Sequence, residues 1–151
     1  NAAVLGYCVT HQSESLDVVG LYIPERYPLG AGICLQGKTL QGRDGFAGEA
    51  KYLPGSIDWR DPDAVTKNLP EAIRVLILTF TCIFNPDRMV LYREDLTQDM
   101  LDSVLAECRK NLDPTLLPDV VISSRFTEDF ACGLTKITLS ALEQAKEGLL
   151  P

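Results

Sequence analysis

A single histidine, His11, and five cysteines that form no CxxC pair leave this chain without the clustered nitrogen and sulfur donors of a structural zinc site. Cys8, Cys34, Cys82, Cys108 and Cys132 are widely spaced in apolar surroundings and are expected to be buried reduced thiols. No apolar run approaches the roughly 20 residues that span a bilayer. Asn1 to His11 also lacks the basic start and small-residue cleavage site of a signal peptide. A soluble, cytoplasmic protein is the expectation. Basic charge is scarce as well: 14 Lys and Arg face 21 Asp and Glu, for a formal net charge of −7, and the cations are scattered. This segment alone is therefore not expected to bind DNA, whose phosphates select a clustered basic face.

What the chain does have is 46% hydrophobic residues over a length of 151, enough for one domain, residues 1–151, with a substantial core. It begins at Asn1, without a methionine and within helix-like sequence, and so reads as part of a longer protein. Ala2 to Val9 is expected to be a short helix and Asp17 to Ile23 (DVVGLYI) a buried strand ended by Pro24. Gly32 to Leu35 and Lys38 to Leu40 flank Gln36-Gly37, a two-residue turn, and read as a hairpin. Leu53 to Asp61, with Pro54, Gly55 and Trp59, reads as a loop, its tryptophan covering a core edge rather than serving as a sugar platform.

Asp61 and Asp63 are acceptable caps for a helix over Pro62 to Lys67, which explains both without a metal. A second helix, from about Pro70 to Phe84, is apolar nearly all round and is expected to lie buried between layers. A strand over Arg88 to Tyr92, an amphipathic helix over Thr97 to Asn111, a strand over Asp119 to Ser123 and a helix over Thr127 to Glu147 complete the chain. This alternation implies a parallel portion of sheet beside the antiparallel start. His11 has no partner at ligand spacing and reads as a surface residue.

The informative stretch is Gly30 to Tyr52, GAGICLQGKTLQGRDGFAGEAKY, in which closely spaced glycines allow sharp turns and close backbone approach and one carboxylate, Glu49, closes the run. It resembles the signature of the ROK family of repressors, open reading frames and sugar kinases, GxGxGAGIxxxGxxxxGxxGxAGExGH. Gly30, Gly32, Gly37, Gly42, Gly45, Ala47, Gly48 and Glu49 fall in register. Asn1 to Gly6 is similar to the family's NDxNAAALGE run from its second asparagine onward, and Asn85-Pro86 to Tyr92 and Phe126 to Leu142 resemble later family segments. The resemblance implies the C-terminal half of an actin-like, hexokinase-type (ribonuclease H-like) α/β ATPase fold, a mixed sheet with helices packed on it.

The resemblance also implies a division of roles. In the family's kinases the aspartate of the ND pair is the general base of phosphoryl transfer; by this register it lies two residues before Asn1, so no catalytic residue is assigned here. Glu49, Gly45, Asn1 and Tyr52 are the implied ligand-binding residues, and Gly30 and Gly32 are cofactor-side glycines. Glu49 would accept hydrogen bonds from sugar hydroxyls, the plainer reading being a solvated loop carboxylate.

The departures fall on the nucleotide side. Arg26, Tyr27 and Pro28 stand where the family has a GTG phosphate loop, and Arg93, Glu94 and Asp95 replace a later glycine triplet; those three charges are expected to be solvated. Tyr52 replaces the histidine of GExGH, Tyr7 replaces a family glutamate, and Ser56 to Asn68 stands where the family carries its zinc segment, so no metal is expected. Sugar-side residues kept and ATP-side residues lost imply the sugar-sensing, dimerising half of a NagC/XylR-like regulator. Its partners would be a sugar, a second copy and, through an upstream helix-turn-helix, DNA; no cofactor would be needed. The alternative is half of a divergent sugar kinase using Mg-ATP, and a third reading is a scaffold that binds nothing.

Overall fold

The computed structural model describes residues 1–147; residues 148–151, the end of the expected single domain, lie outside the described residues. Five strands form one sheet in the order β3-β2-β1-β4-β5. Strand β1 (Asp17–Tyr22) pairs antiparallel with β2 (Gly30–Leu35), which turns back into the short β3 (Lys38–Thr39). On its other side β1 runs parallel to β4 (Arg88–Tyr92), and β4 parallel to β5 (Asp119–Ile122). The mixed sheet expected from the sequence is present. The β2–β3 turn carries φ of 48° at Gln36 and 77° at Gly37, the pair of left-handed residues that a tight hairpin of matching twist requires.

Strand alternation sends the two faces of the sheet to different partners. Val19, Leu21 and Ile23, with Ile33, Met89 and Leu91, pack against α3 (Leu69–Phe84) and α4 (Gln98–Cys108) in the larger core. Val18, Cys34, Val90 and Tyr92 face the opposite way, onto α1 (Ala2–Thr10). Helix α5 (Phe126–Glu147) lies over α1, so that every residue from Ala2 to Cys8 is buried between the sheet and a second helix. The helix enclosed on all sides is thus α1. The expectation that the Pro70 to Phe84 helix would be enclosed is corrected: α3 begins at Leu69, buries Ala72, Ile73, Leu76, Ile77 and Phe80 on one stripe, and leaves Cys82 and Ile83 in solvent. Among the described residues no layer covers its outer apolar residues, which periodicity in a nearly uniform apolar run cannot reveal.

Short helix α2 (Pro62–Lys67) is capped as expected, the Asp61 carboxylate accepting from the Asp63 amide at 3.0 Å. Thr97 caps α4 in the same way through Met100 at 3.3 Å. Asp61→Ala is expected to lower stability by about 1 kcal/mol, seen as a lower urea midpoint at unchanged slope. Trp59 is buried with Ile57, Val65 and Leu69, a core-edge position that leaves no ring face for a ligand. Cys8, Cys34 and Cys108 are buried as expected; Cys82 is exposed and Cys132 only partly covered, because each sits on the outer side of a one-sided helix. No helix among the described residues is long and apolar enough to cross a membrane.

Candidate functional site

Two concavities flank the carboxyl-terminal end of β1, the strand at which the sheet changes from parallel to antiparallel. Such a switch point is where open α/β sheets hold ligands. The first cavity, about 240 Å³, lies between the start of α1, the beginning of β2 and the turn that follows the hairpin; Asn1, Gly30, Gly32, Gly48 and Glu49 are among its lining. Four residues singled out from the sequence therefore meet in one place. Gly45 and Tyr52, the other two, do not line it. Gly45 adopts φ of 70° in open solvent and shapes the turn.

The turn carrying Glu49 is held onto β2 by its backbone. Ala31 N–H donates to the Gly48 carbonyl at 3.0 Å, and a Cβ on Gly48 would sit 2.3 Å from the Ala31 carbonyl oxygen, at a φ of 87° that disfavours side chains in any case. The two β2 glycines differ in their reasons. At Gly32 an added Cβ would meet Asn1 and Val4 at 2.9 Å, so its bareness is used by the packing of α1. At Gly30 nothing lies within 4 Å, and the bareness leaves open cavity. Both line the cavity that holds Glu49.

Glu49 is about 40% exposed at its side chain and pairs with the Lys51 ammonium at 2.9 Å, which holds the lysine's proton more tightly than usual. Among the described residues the lysine engages only Oε2, which leaves Oε1 able to accept from hydroxyl groups. Tyr52 lies just outside the cavity, half exposed, its ring stacked on Phe46 with centroids 5.4 Å apart.

The second cavity, about 320 Å³, opens at the ends of β1, β4 and β5. It is lined by Glu25, Arg26, Tyr27, Arg93, Glu94 and Ser124 among others. Of the three charges expected to be solvated, Glu94 and Asp95 are exposed, but Arg93 is buried, a correction with a clear cause. Its guanidinium donates to the Asp95 carboxylate at 3.0 Å, the Ile23 carbonyl at 3.3 Å and the Thr66 hydroxyl at 3.3 Å, tying β4 to β1 and α2. The Arg93 guanidinium in turn holds the Asp95 carboxyl below its usual range. An arginine so committed is a structural tie, and the mouth carries both signs of charge with Glu25, Arg26 and Glu94.

Sequence reading missed the centre beneath both cavities. Asp129 on α5 is fully buried and accepts hydrogen bonds from Tyr92 Oη at 2.9 Å and Thr10 Oγ1 at 3.2 Å. Burial and the adjacent carboxylate push the Tyr92 phenol well above its ordinary range. Nothing in the local sequence separates Asp129 from the solvated acidic residues of a first helical turn. Among the described residues no group of three or more His, Cys, Asp and Glu side chains is arranged to hold a metal ion.

No protein-family model matches the sequence, and no curated protein matches it. Solved structures do match. A ROK family protein from Streptococcus pneumoniae TIGR4, solved in complex with sucrose, superposes with a TM-score of 0.67 at 14% identity over 95% of this chain and 64% of that one. The ROK hexokinase from Thermus thermophilus gives 0.66 at 16% identity over 93% and 64%. A ROK family transcriptional regulator homologous to the E. coli MLC protein gives 0.60 at 19% identity over 89% and 50%. The fold is that of the ROK proteins. The chain spans about 64% of the length of the first two of these structures, and a kinase and a regulator share its fold alike.

Proposed function

We propose that this chain is the sugar-sensing and dimerising portion of a ROK-type transcriptional regulator whose ATP site is degenerate. The observation that supports the reading best is the contrast between the two cavities. One gathers Asn1, Gly30, Gly32 and a carboxylate with a free oxygen; the other is walled by Arg26, Tyr27 and a structurally committed Arg93 beside Glu25 and Glu94. Glu25 and Glu94 would repel a triphosphate, and Pro28 supplies no amide to cradle one. Glu49 would orient a sugar by accepting its hydroxyls. The mechanism would be a population shift, in which sugar favours one arrangement of the whole protein and thereby changes operator affinity through a helix-turn-helix elsewhere. The net charge of −7 fits a role in which this segment does not itself touch DNA. Phe130, Leu134, Ile137 and Leu142, exposed on α5, are apolar surface available to the pairing of two copies.

The second reading, half of a divergent sugar kinase that uses Mg-ATP, is favoured by one observation: a cavity does persist at the strand ends. Calorimetric titration of the full chain with hexoses and amino sugars, with and without Mg-ATP, separates the two. Sugar heat without nucleotide heat is the expected result; micromolar Mg-ATP binding with sugar-dependent turnover overturns the regulator reading. Glu49→Gln is expected to weaken the sugar that binds by about 10- to 100-fold, the value of hydrogen bonds to a charged acceptor. Equal affinity for wild type and variant would remove Glu49 from the site.

A further inference from the structure

The cavity that holds Glu49 has a single charged side chain in its lining, Glu49 itself, and among the described residues no Lys, Arg or His lines it. Lys51, paired with that carboxylate, lies outside the lining. The Asn1 amino group is also near Glu49, but burial holds it below its ordinary pKa range and so disfavours a cation there. The Ala31 amide on β2 is taken by the Gly48 carbonyl. Phosphate sites are built the other way, from cations and unpaired backbone N–H groups. A lone carboxylate accepts from neutral hydroxyls and repels a second anion.

Another part of the same lining is aromatic. Gly6 and Gly133 let α5 cross close over α1, which brings the first turns of α5 to the cavity. There Tyr22 stacks on Phe126 with centroids 3.9 Å apart, and Phe126 on Phe130 at 5.9 Å, all three rings lining the cavity. Phe130 ends the stack. It is 41% exposed, and among the described residues no second ring and no cation lies over it. Leu134, one turn further along α5, is exposed too but does not line the cavity. An open ring at the edge of a cavity is a surface on which the C–H face of a sugar stacks while its hydroxyls turn elsewhere. That face is rigid only in a closed ring; an acyclic polyol carries the same hydroxyls without it. We infer that the Glu49 cavity selects an unphosphorylated pyranose, its hydroxyls on Glu49 and its apolar face on Phe130, which makes Phe130 a specificity-determining residue.

This inference rests on the sugar reading of Glu49, and the experiment keeps the two apart. The full chain is titrated calorimetrically with glucose, mannose and N-acetylglucosamine, each beside its 6-phosphate, and with sorbitol and mannitol as acyclic counterparts. The expected result is one free sugar binding at least about tenfold more tightly than its phosphate and its polyol. Glu49→Gln, which removes the repelling charge, should narrow the gap between sugar and sugar phosphate to within about threefold. Phe130→Ala and Phe130→Leu should each weaken the sugar by about tenfold, and Phe130→Trp should retain it. The leucine variant keeps apolar bulk on α5 and so separates the loss of a stacking face from a loss of packing. Leu134→Ala should bind as wild type does. A sugar phosphate or a polyol that binds as tightly as the free sugar, Phe130→Leu at wild-type affinity, or an equal loss in Leu134→Ala overturns this inference and leaves the Glu49 reading standing. Binding of nothing in the panel overturns the Glu49 reading, and this inference with it.

Discussion

Gly6→Ala is expected to cost more than about 3 kcal/mol of stability, lowering the melting temperature by about 6–12 °C in a chain of this size. Local propensity predicts the reverse, since glycine within a helix is worse than alanine by about 0.5–1 kcal/mol. The crossing of α1 and α5 decides the sign. A Cβ on Gly6 would lie 1.7 Å from the Asp129 carbonyl oxygen and 2.8 Å from the Gly133 amide nitrogen, and one on Gly133 would lie 1.8 Å from the Ala2 carbonyl oxygen. The obstructing atoms are helical backbone, which cannot rotate aside. The helices must therefore separate, and α1 is the inner layer of that side of the sheet. Gly133→Ala is expected to match Gly6→Ala, and the double variant to cost much less than twice as much, because one separation relieves both clashes. Gly6→Ala at wild-type stability by thermal melting would show that the two helices do not cross at this contact.

That crossing also explains what could and could not be read from the sequence. Strand positions were legible because β-branched runs such as DVVGLY and DVVI are bounded by turn residues, and the cap at Asp61 was legible because its acceptor acts two residues away. Gly30, Gly32 and Glu49 were singled out by glycine spacing that matched a known pattern, whereas their sharing one cavity with Asn1 depends on how α1 packs beside β2. Contacts between distant segments were illegible. Gly6 and Gly133 are 127 positions apart and each reads alone as a weak helical residue. Arg93 looked like one of three solvated charges until α2 and the end of β1 were brought against it. Which of the apolar helices becomes the inner layer depends on what lies above it, and among the described residues α3 has no such cover while α1 has α5.

Asp129→Ala is expected to cost about 2–4 kcal/mol, because it strands buried donors rather than exposed ones. The carboxylate takes one hydroxyl from β4 and one from α1, so it joins the three layers on this side at a single residue. The two donors are not equally dependent on it. Thr10 Oγ1 also reaches the Gly6 carbonyl at 3.0 Å and the Tyr7 carbonyl at 3.2 Å, whereas Tyr92 Oη has, among the described residues, only the Ala3 carbonyl at 3.5 Å besides. Most of the loss should therefore come through Tyr92, and Tyr92→Phe in the Asp129→Ala background should restore part of it by removing the orphaned hydroxyl. Asp129→Asn keeps the shape and one acceptor and is expected to cost about 1 kcal/mol. An Asn variant more stable than wild type would mean that the buried charge costs more in desolvation than its two hydrogen bonds return, and that this junction retains a carboxylate for the site above it. Urea denaturation of the three single variants and the double variant, compared at equal slope, measures each of these differences.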